Sequence, residues 1–364
     1  GGPIMDRHVA EDTNTLPTPA IESTRKLVEA DGVSAIVGGW SSGVSVATAV
    51  SVSIPSGVLQ VANGSTSPLL SVLPEDEEAD LLFRTTAPDT YQGVVLAQLL
   101  TGEIRPDHKF GSAATLYVNN PYGQGLSNAF AAAFERRGGT VQAQVPHPEE
   151  VQPTYSSQLD RALQGQPDIL VCVSYPGHTA TYLKEARDVF GFTSWAFCDA
   201  NRSERVVEAL GAEVLAGSLG TAPGQDPSIP GFQNFERTYT ERFGRERVPP
   251  FTESAYDAGI TIGLAGVKAA IDGETELTGE VLRDRLREVA NPPGETIVGG
   301  TQEAITRAVQ VLRDGGQIDY SGAAGACDFD EAGDVITPQA IWQFTADGGL
   351  ETVQVISPDD IPTE

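Results

Sequence analysis

The sequence has little lysine, few cysteines and no long apolar runs, and each shortage argues against a particular kind of structure or partner. Its 364 residues carry 23 basic side chains against 50 acidic ones, a formal net charge of −27. A chain so acidic repels polyanions, which excludes nucleic acid as a partner at ordinary salt. The apolar runs are short and interrupted, so no membrane span is predicted. Lysine occurs only at Lys26, Lys109, Lys184 and Lys268.

The acidic residues are scattered along the chain rather than gathered in one tail. Dense carboxylate with little lysine suits a protein that works in concentrated salt, where charge repulsion is screened. We therefore interpret the composition as that of a halophilic protein. An ordinary acidic protein is the alternative.

The three cysteines are too few for a disulfide framework. Cys172 and Cys198 each lie in an apolar, strand-like run, which favours buried small side chains. A single bridge between them stays open if their strands are neighbours. The four histidines are far apart in sequence and lack the spacing of metal ligands, so we expect no metal site. The segment at 327–334, CDFDEAGD, resembles part of a calcium loop, but a tight turn is the favoured interpretation.

Short apolar strands alternate with amphipathic helices, which predicts an α/β fold with parallel sheets. The helices are predicted at 17–30, 91–102, 124–136, 155–164, 178–189, 232–243, 253–271 and 279–288. The strands are predicted at 33–37, 57–62, 112–118, 140–145, 168–173, 194–198 and 215–220. A further helix is expected from Pro68, with Ser67 as its N-cap. The proline-rich patch at 223–230 is the best candidate for a connection between lobes.

The stretch Gly39-Trp40-Ser41-Ser42-Gly43 matches the G-x-S-x-G pattern of a hydrolase nucleophile elbow. An elbow follows several strands, whereas only one or two strand candidates precede Ser41. It also needs a later acid and histidine, and neither His147 nor His178 has a recognisable setting. We expect no catalytic residue, and a serine hydrolase using Ser41 is kept only as a minor alternative.

Two loops of the first half share one design. The loop at 38–43 places Ser41 and Ser42 before a helix, and the loop at 63–67 places a run of hydroxyls before the next. Ligands of parallel α/β sheets bind beyond the carboxyl ends of the strands. Free backbone N–H groups and hydroxyls there suit a carboxylate. Plain N-capping is the alternative for either loop alone.

Tyr122, Tyr175 and Asp199 also follow predicted strands. Asp199 can pair with an ammonium group, and the tyrosines can cover an apolar side chain while hydrogen-bonding at their tips. Alone, Asp199 in this position is more often a helix cap. Anion-binding donors in one half and a carboxylate in the other together indicate an amino acid ligand.

The chain resembles a known family over nearly its whole length. The matching stretches include DGVSAIVGGWSSGVSVA, NGSTSPLL, LLFRTTAPDTYQG, VNNPYGQGLSNAF, QPDILVCVSYPGHTATYLKEARDVFGF, AYDAG and YSGAAGACDFDEAGDV. They are similar to the type I periplasmic solute-binding proteins of ABC transporters, in the branched-chain amino acid group. The resemblance implies two α/β lobes, each a parallel sheet flanked by helices, joined by three crossings and closing on a ligand at the hinge. It places one lobe at 1–87 plus 223–322 and the other at 88–222 plus 323–364.

The resemblance also implies ligand-binding roles. Ser42 matches a carboxylate-binding serine, and Gly64 and Thr66 match the second carboxylate loop. Asp199 matches the acid that holds the α-ammonium, and Trp40 lies where the ligand side chain is shaped. The expected set is completed by aromatic contacts at Tyr122 and Tyr175, a further contact at Phe251, and the neighbouring Ser41 and Asn63.

The implied protein is an extracellular or periplasmic binding component of an importer, not an enzyme, with no cofactor. Its partners would be an amino acid and a membrane permease, and we expect a monomer anchored through an N-terminal segment absent from this chain. Family members begin with a strand and a long helix, and the Gly1-Gly2-Pro3-Ile4 turn suggests that this pair is missing. A sensor of amides or amino acids with the same fold is the alternative.

Overall fold

The structure is a computed structural model that describes residues 7–245 and 247–362. The expected turn at 1–4 lies outside the described residues. The chain forms two compact units. The first runs to Pro88 and resumes over Gly224–Thr337, and the second comprises Asp89–Pro223 and the chain from Pro338 onward. The chain therefore passes between the units three times, once inside the proline-rich patch. None of the described helices combines the length and apolar character needed to cross a bilayer.

The first unit opens with short strands and helices. Its elements are α1 (Pro17–Glu29), β1 (Ala35–Val37), α2 (Ser42–Thr48), β2 (Leu59–Ala62) and β3 (Leu82–Arg84), with helical turns at Ala49–Ser53, Ile54–Ser56 and Pro68–Val72. Ser67 caps the last of these turns, since its hydroxyl accepts the Leu69 N–H. That turn is a 3₁₀ helix rather than the α-helix expected from Pro68.

The second unit alternates helices and strands. Its elements are α3 (Asp89–Leu100), β4 (Ser112–Val118), α4 (Pro121–Arg136), β5 (Thr140–His147), α5 (Ser156–Leu163), β6 (Ile169–Val173), α6 (Pro176–Asp188), β7 (Trp195–Phe197), α7 (Glu204–Leu210), α8 (Ala212–Leu215) and β8 (Leu219–Pro223). The strand expected at 215–220 thus begins four residues later, at Leu219, because α8 extends to Leu215 and a turn at 216–217 follows it.

The chain then returns to the first unit and ends in the second. The returning elements are α9 (Pro230–Phe243), α10 (Thr252–Asp272), α11 (Gly279–Ala290), β9 (Glu295–Val298), α12 (Gln302–Arg313) and β10 (Ile318–Ser321). The last two strands are β11 (Gln339–Phe344) and β12 (Leu350–Ile356).

The sheets confirm the α/β prediction with one correction. In the first unit β1, β2 and β3 form a parallel sheet, and β9 pairs with β10 in parallel. The second unit has a seven-stranded sheet in the order β12-β11-β8-β7-β6-β4-β5. That sheet is not wholly parallel, because β11 runs antiparallel to both β8 and β12. The short connection between β11 and β12 permits only antiparallel pairing.

Each unit buries its own apolar core. In the first unit Leu59, Val61 and Phe83 from the sheet pack with residues of α10, α11 and α12. In the second, both sheet faces are covered, one with Phe130 and the other with Trp342 among its buried residues.

The three cysteines are buried free thiols, so the bridge left open between Cys172 and Cys198 is excluded. Their strands are indeed neighbours, but Cys172 pairs with Phe197 in the register of β6 and β7. Successive side chains of a strand point to opposite faces. Cys198 therefore lies on the other face of the sheet, in a different core cluster from Cys172.

The segment 323–337 belongs to the first unit, which corrects its expected place in the second lobe. The buried Asp257 carboxylate on α10 accepts the N–H groups of Ala323 at 2.8 Å and Ala324 at 2.7 Å. The turn predicted within CDFDEAGD is confirmed: Asp330 Oδ1 accepts the N–H groups of Ala332 and Asp334. The two bonds to Asp257 fasten the segment to α10 of the first unit.

Candidate functional site

In the first unit, the loops after β1 and β2 leave the same edge of the sheet. The two strands are parallel, and Ala35, Ile36 and Val37 pair with Leu59, Gln60 and Val61. Their carboxyl ends therefore lie side by side, which is where parallel α/β sheets bind ligands. The loop following β1 leads to Ser41 and Ser42, and the loop following β2 spans 63–67.

Ser42 connects the two loops. It is the first residue of α2, and its hydroxyl accepts the Ser67 N–H at 3.1 Å. Ser41 precedes it as the N-cap residue of α2 and is also buried. Ser42 Oγ retains its own proton to donate, as the expected carboxylate-binding role requires.

A second serine pair, missed from the sequence, connects the same loops. Ser45 Oγ accepts the Gly39 N–H at 2.8 Å and lies 2.8 Å from Ser65 Oγ. Ser65 in turn donates to the Gly39 carbonyl at 2.9 Å. Ser45 sits one helical turn after Ser41, so its i+4 spacing was the available signal. This hydrogen-bond network holds the loop after β1 against the loop after β2.

Thr66 is the anomaly of the second loop. Its side chain is fully buried, yet among residues 7–245 and 247–362 no group hydrogen-bonds with Thr66 Oγ1. A buried hydroxyl without a partner costs about 1–3 kcal/mol. The position therefore offers a hydroxyl donor that is ready for a ligand oxygen.

An aromatic pair stands beside these loops. Trp40, 36% exposed, meets Phe251 edge-on, with ring centroids 6.4 Å apart. Phe251 adopts a φ of +64°, and Asn63 Nδ2 donates to its carbonyl at 3.5 Å. Gly64 permits the approach of Trp40, since a Cβ at position 64 would lie 2.5 Å from Trp40 Cδ1. A non-glycine residue held at such a φ costs about 1–3 kcal/mol and often marks a functional site.

In the second unit, Asp199 is buried at the end of β7 and begins a short 3₁₀ turn. Tyr122 Oη donates to Asp199 Oδ1 at 2.7 Å, and Gln92 Nε2 donates to the same oxygen at 3.2 Å. Burial raises the pKa of the Asp199 carboxyl, while both hydrogen bonds act to lower it. A cation bound at this carboxylate would remove the cost of burying its charge.

The two tyrosines form one surface beside Asp199. The rings of Tyr122 and Tyr175 stack with centroids 5.7 Å apart and an interplanar angle of 12°. Asn120 Nδ2 donates to Tyr175 Oη at 3.1 Å, which orients the half-buried outer ring. Tyr122, Tyr175 and Asp199, each expected to follow a strand, thus lie next to one another in the second unit.

Two residues of α3 were missed. Gln92 bridges Asp199 and the Thr221 carbonyl, and Asp89 lies close enough to raise the pKa of Tyr122 and Cys198 by its charge. Both are polar residues among the mostly apolar buried residues of this helix, DTYQGVVLAQLL. A buried polar residue in such a helix needs a partner, so the pattern itself was a signal.

The histidines do not support the hydrolase alternative. His8 is the single histidine within the described part of the first unit, which carries Ser41, and His8 is exposed. In the second unit the Nδ1 of His147 donates to the Pro148 carbonyl at 2.8 Å, and its Nε2 lies 2.8 Å from Ser174 Oγ. His147 is buried, and each of its ring nitrogens lies within hydrogen-bond distance of one of these two partners.

The buried His147 predicts an acid-dependent loss of stability. Burial lowers its pKa from 6.5 to about 4, so the unfolded chain binds a proton that the folded protein rejects. The stabilisation is complete above pH 6.5 and is lost as pH falls toward 4. Between pH 7 and pH 5 the wild type should lose about 2 kcal/mol of unfolding free energy that His147→Gln does not lose. Denaturant titration at both pH values measures the difference, and His8→Asn is the exposed control; parallel slopes for wild type and His147→Gln would contradict the assignment.

Two α/β units with hydroxyl-rich loops at the carboxyl ends of parallel strands are typical of solute-binding proteins. Comparison of the chain with known proteins gives the same result. A family model described as periplasmic binding protein matches residues 7–313. The chain belongs to this periplasmic binding protein family.

Similar proteins extend this result. The chain is 26% identical over 369 residues to the chemotactic signal transduction system substrate-binding protein BasB of Halobacterium salinarum, covering 98% of this chain and 81% of BasB. The leucine-binding protein LivK of Thermotoga maritima has a similar fold, with a TM-score of 0.76, 23% identity, and coverage of 96% and 87%. The branched-chain amino acid transporter substrate-binding protein LivJ of Streptococcus pneumoniae, solved with isoleucine, gives 0.72, 17%, 96% and 87%.

Proposed function

We propose that the protein binds a small amino acid, branched-chain or closely related, and releases it unchanged. The observation that carries this proposal is the buried Asp199 carboxylate, held by Tyr122 and Gln92. A carboxylate with a pKa raised by burial is a site prepared for a cation. In an amino acid that cation is the α-ammonium.

The first unit would bind the other charged end of the ligand. Ser42 Oγ and the partnerless Thr66 Oγ1 are hydroxyl donors on adjoining loops. We assign them to the ligand carboxylate, with Gly64 of the same loop allowing Trp40 to pack closely beside them. The two units would thus act on one molecule, and their closure about the hinge would trap it, as the family resemblance implies.

The ligand side chain would be selected by aromatic groups. Trp40 and Phe251 form one apolar surface, and the stacked Tyr122 and Tyr175 form another. Such surfaces suit an aliphatic side chain and provide no charged group for its far end. The name of LivK, a leucine-binding protein, and the isoleucine bound to LivJ support a branched-chain amino acid.

We infer an extracellular or periplasmic role as the binding component of an importer, with a membrane permease as partner and the protein itself a monomer. The family and the transporter-related names of similar proteins support this setting. The net charge of −27 and the likeness to a protein of Halobacterium salinarum support a halophilic source.

A chemotactic role is the second candidate, because the relative that matches 98% of this chain is a chemotaxis substrate-binding protein. Deleting the gene distinguishes the two. Loss of ligand uptake with swimming responses intact indicates transport, whereas loss of attraction with uptake intact indicates sensing.

Calorimetric titration in multimolar salt tests the binding proposal. The panel comprises leucine, isoleucine, valine and alanine, with 3-methylbutylamine lacking the carboxylate and 4-methylpentanoate lacking the ammonium. We expect saturable binding of one equivalent of an amino acid and at least 100-fold weaker binding of both analogues. Absence of heat with every amino acid would refute the proposal.

A further inference from the structure

We propose that Arg84 is a positioning residue for the carboxylate-binding loop, acting through the backbone on either side of Thr66. This inference rests on the proposed function. Arg84 is the last residue of β3 and is 1% exposed. Its Nη1 donates to the carbonyl of Ser67 at 2.8 Å and to that of Ser65 at 3.3 Å.

These two bonds set the orientation of the loop backbone. A trans peptide is planar and places its N–H opposite its carbonyl. With the Ser65 carbonyl turned toward Arg84, the Thr66 N–H must point away from the guanidinium. Arg84 therefore directs the backbone donor of Thr66 to the side opposite itself, in the residue whose side-chain hydroxyl has no hydrogen-bond partner within 7–245 and 247–362.

The rest of the guanidinium is held rigidly. Nε donates to Asp334 Oδ1 at 2.6 Å, and Nη2 donates to Asp334 Oδ2 at 2.8 Å and to Ser71 Oγ at 2.6 Å. Ser71 donates in turn to Asp334 Oδ2 at 2.7 Å. Arginine has five N–H donors, and the five hydrogen bonds to Asp334, Ser71, Ser65 and Ser67 use all of them.

This complete set of bonds excludes direct recognition of the ligand by Arg84. Its charge is balanced by Asp334, and it has no donor left for a ligand carboxylate. Instead, the ion pair with Asp334 fixes the planar guanidinium fork in the orientation in which Nη1 can donate to both loop carbonyls. Lysine cannot replace this fork, because a single ammonium cannot reach a carboxylate and two carbonyls in these directions.

The test is Arg84→Lys, with Arg287→Lys as its matched control. Arg287 also forms a two-bond ion pair in the first unit, to Asp80 at 2.6 and 2.9 Å, without any bond to the 63–67 loop. Calorimetry compares leucine with leucinamide, which lacks the carboxylate charge. We expect Arg84→Lys to weaken leucine binding at least tenfold and leucinamide binding less than threefold, with Arg287→Lys changing neither by more than twofold.

Two results would overturn the inference: unchanged leucine affinity, or an equal loss for both ligands, which a merely structural role would produce. A ligand-free measurement separates this inference from the proposed function. Hydrogen–deuterium exchange over 63–67 should speed up at least tenfold in Arg84→Lys and stay unchanged in Arg287→Lys. If the wild type binds no amino acid, the proposed function fails, while unchanged exchange in Arg84→Lys refutes the positioning itself.

If Arg84→Lys does not fold, Ser71→Ala is the milder variant. For it we expect a two- to fivefold loss of leucine affinity and faster exchange over 63–67. No change in either would refute the inference.

Discussion

Asp199→Asn should weaken amino acid binding by at least 100-fold. Asparagine keeps the size of the side chain and an oxygen that can accept from Tyr122, so the loss reports the missing charge. Breaking one side of a buried charge pair costs about 3–5 kcal/mol, because the other charge is left unpaired. A 100-fold loss corresponds to about 2.7 kcal/mol and is a conservative expectation.

The pH dependence of binding identifies the same group. Burial raises the pKa of Asp199 in the unliganded protein, so acid protonates the carboxyl and removes the partner of the ammonium. Affinity should therefore fall as pH falls through that raised pKa in the wild type, whereas the already weakened Asp199→Asn should bind without this dependence. Titration calorimetry at several pH values measures both. Asp188→Asn is the control, since Asp188 is a surface residue paired with Arg187 in the same unit; wild-type affinity in Asp199→Asn would refute the amino acid assignment.

The parts of the candidate site that sequence predicts are those set by local order. In parallel α/β folds a loop after a strand lies at the ligand-binding edge, whatever the rest of the chain does. That rule was sufficient to select Tyr122, Tyr175, Asp199 and the two hydroxyl-rich loops, whereas the choice of Ser42 and Thr66 within those loops came from the family resemblance. The helices and strands that were found likewise have strong local periodicity or clear caps.

The parts that sequence did not predict depend on contacts between distant residues. Arg84 and Asp334 are 250 positions apart, and Gln92 and Asp199 are 107 apart. No local sequence pattern predicts these pairs, because residues so far apart in the chain never fall within one helix, strand or turn. The predicted helices also lack α12, although its Thr301 N-cap and apolar stripe are local signals.

The wrong placement of 323–337 also has a physical explanation. This segment is rich in glycine, alanine and aspartate and has little apolar periodicity of its own. Its position is fixed by the Asp257 carboxylate of α10, which accepts two of its N–H groups. Gly322 is required at this contact, because a Cβ there would lie 2.4 Å from Asp257 Cγ.

Asp257→Ala should therefore destabilise the protein strongly. The variant leaves the N–H groups of Ala323 and Ala324 and the Tyr320 hydroxyl without their buried acceptor. Each unsatisfied buried group costs about 1–3 kcal/mol, so we expect a loss of about 4 kcal/mol of unfolding free energy at pH 5. Denaturant titration in high salt measures it. Asp272→Ala on the same helix is the control, since its ion pairs with Lys268 and Arg285 lie at the surface, with side chains 22–28% exposed, and should contribute less than about 1 kcal/mol.

The penalty for Asp257→Ala should also shrink as pH rises. Burial raises the pKa of the Asp257 carboxyl from 3.8 to about 7, so the folded state favours the neutral form more than the unfolded chain does. The stabilisation from this shift is complete below pH 3.8 and is lost as pH rises through 7. The wild type should therefore exceed Asp257→Ala by less at pH 8 than at pH 5. A penalty that grows over this range would show that Asp257 is buried as a charged acceptor, with its two N–H donors outweighing the cost of desolvation.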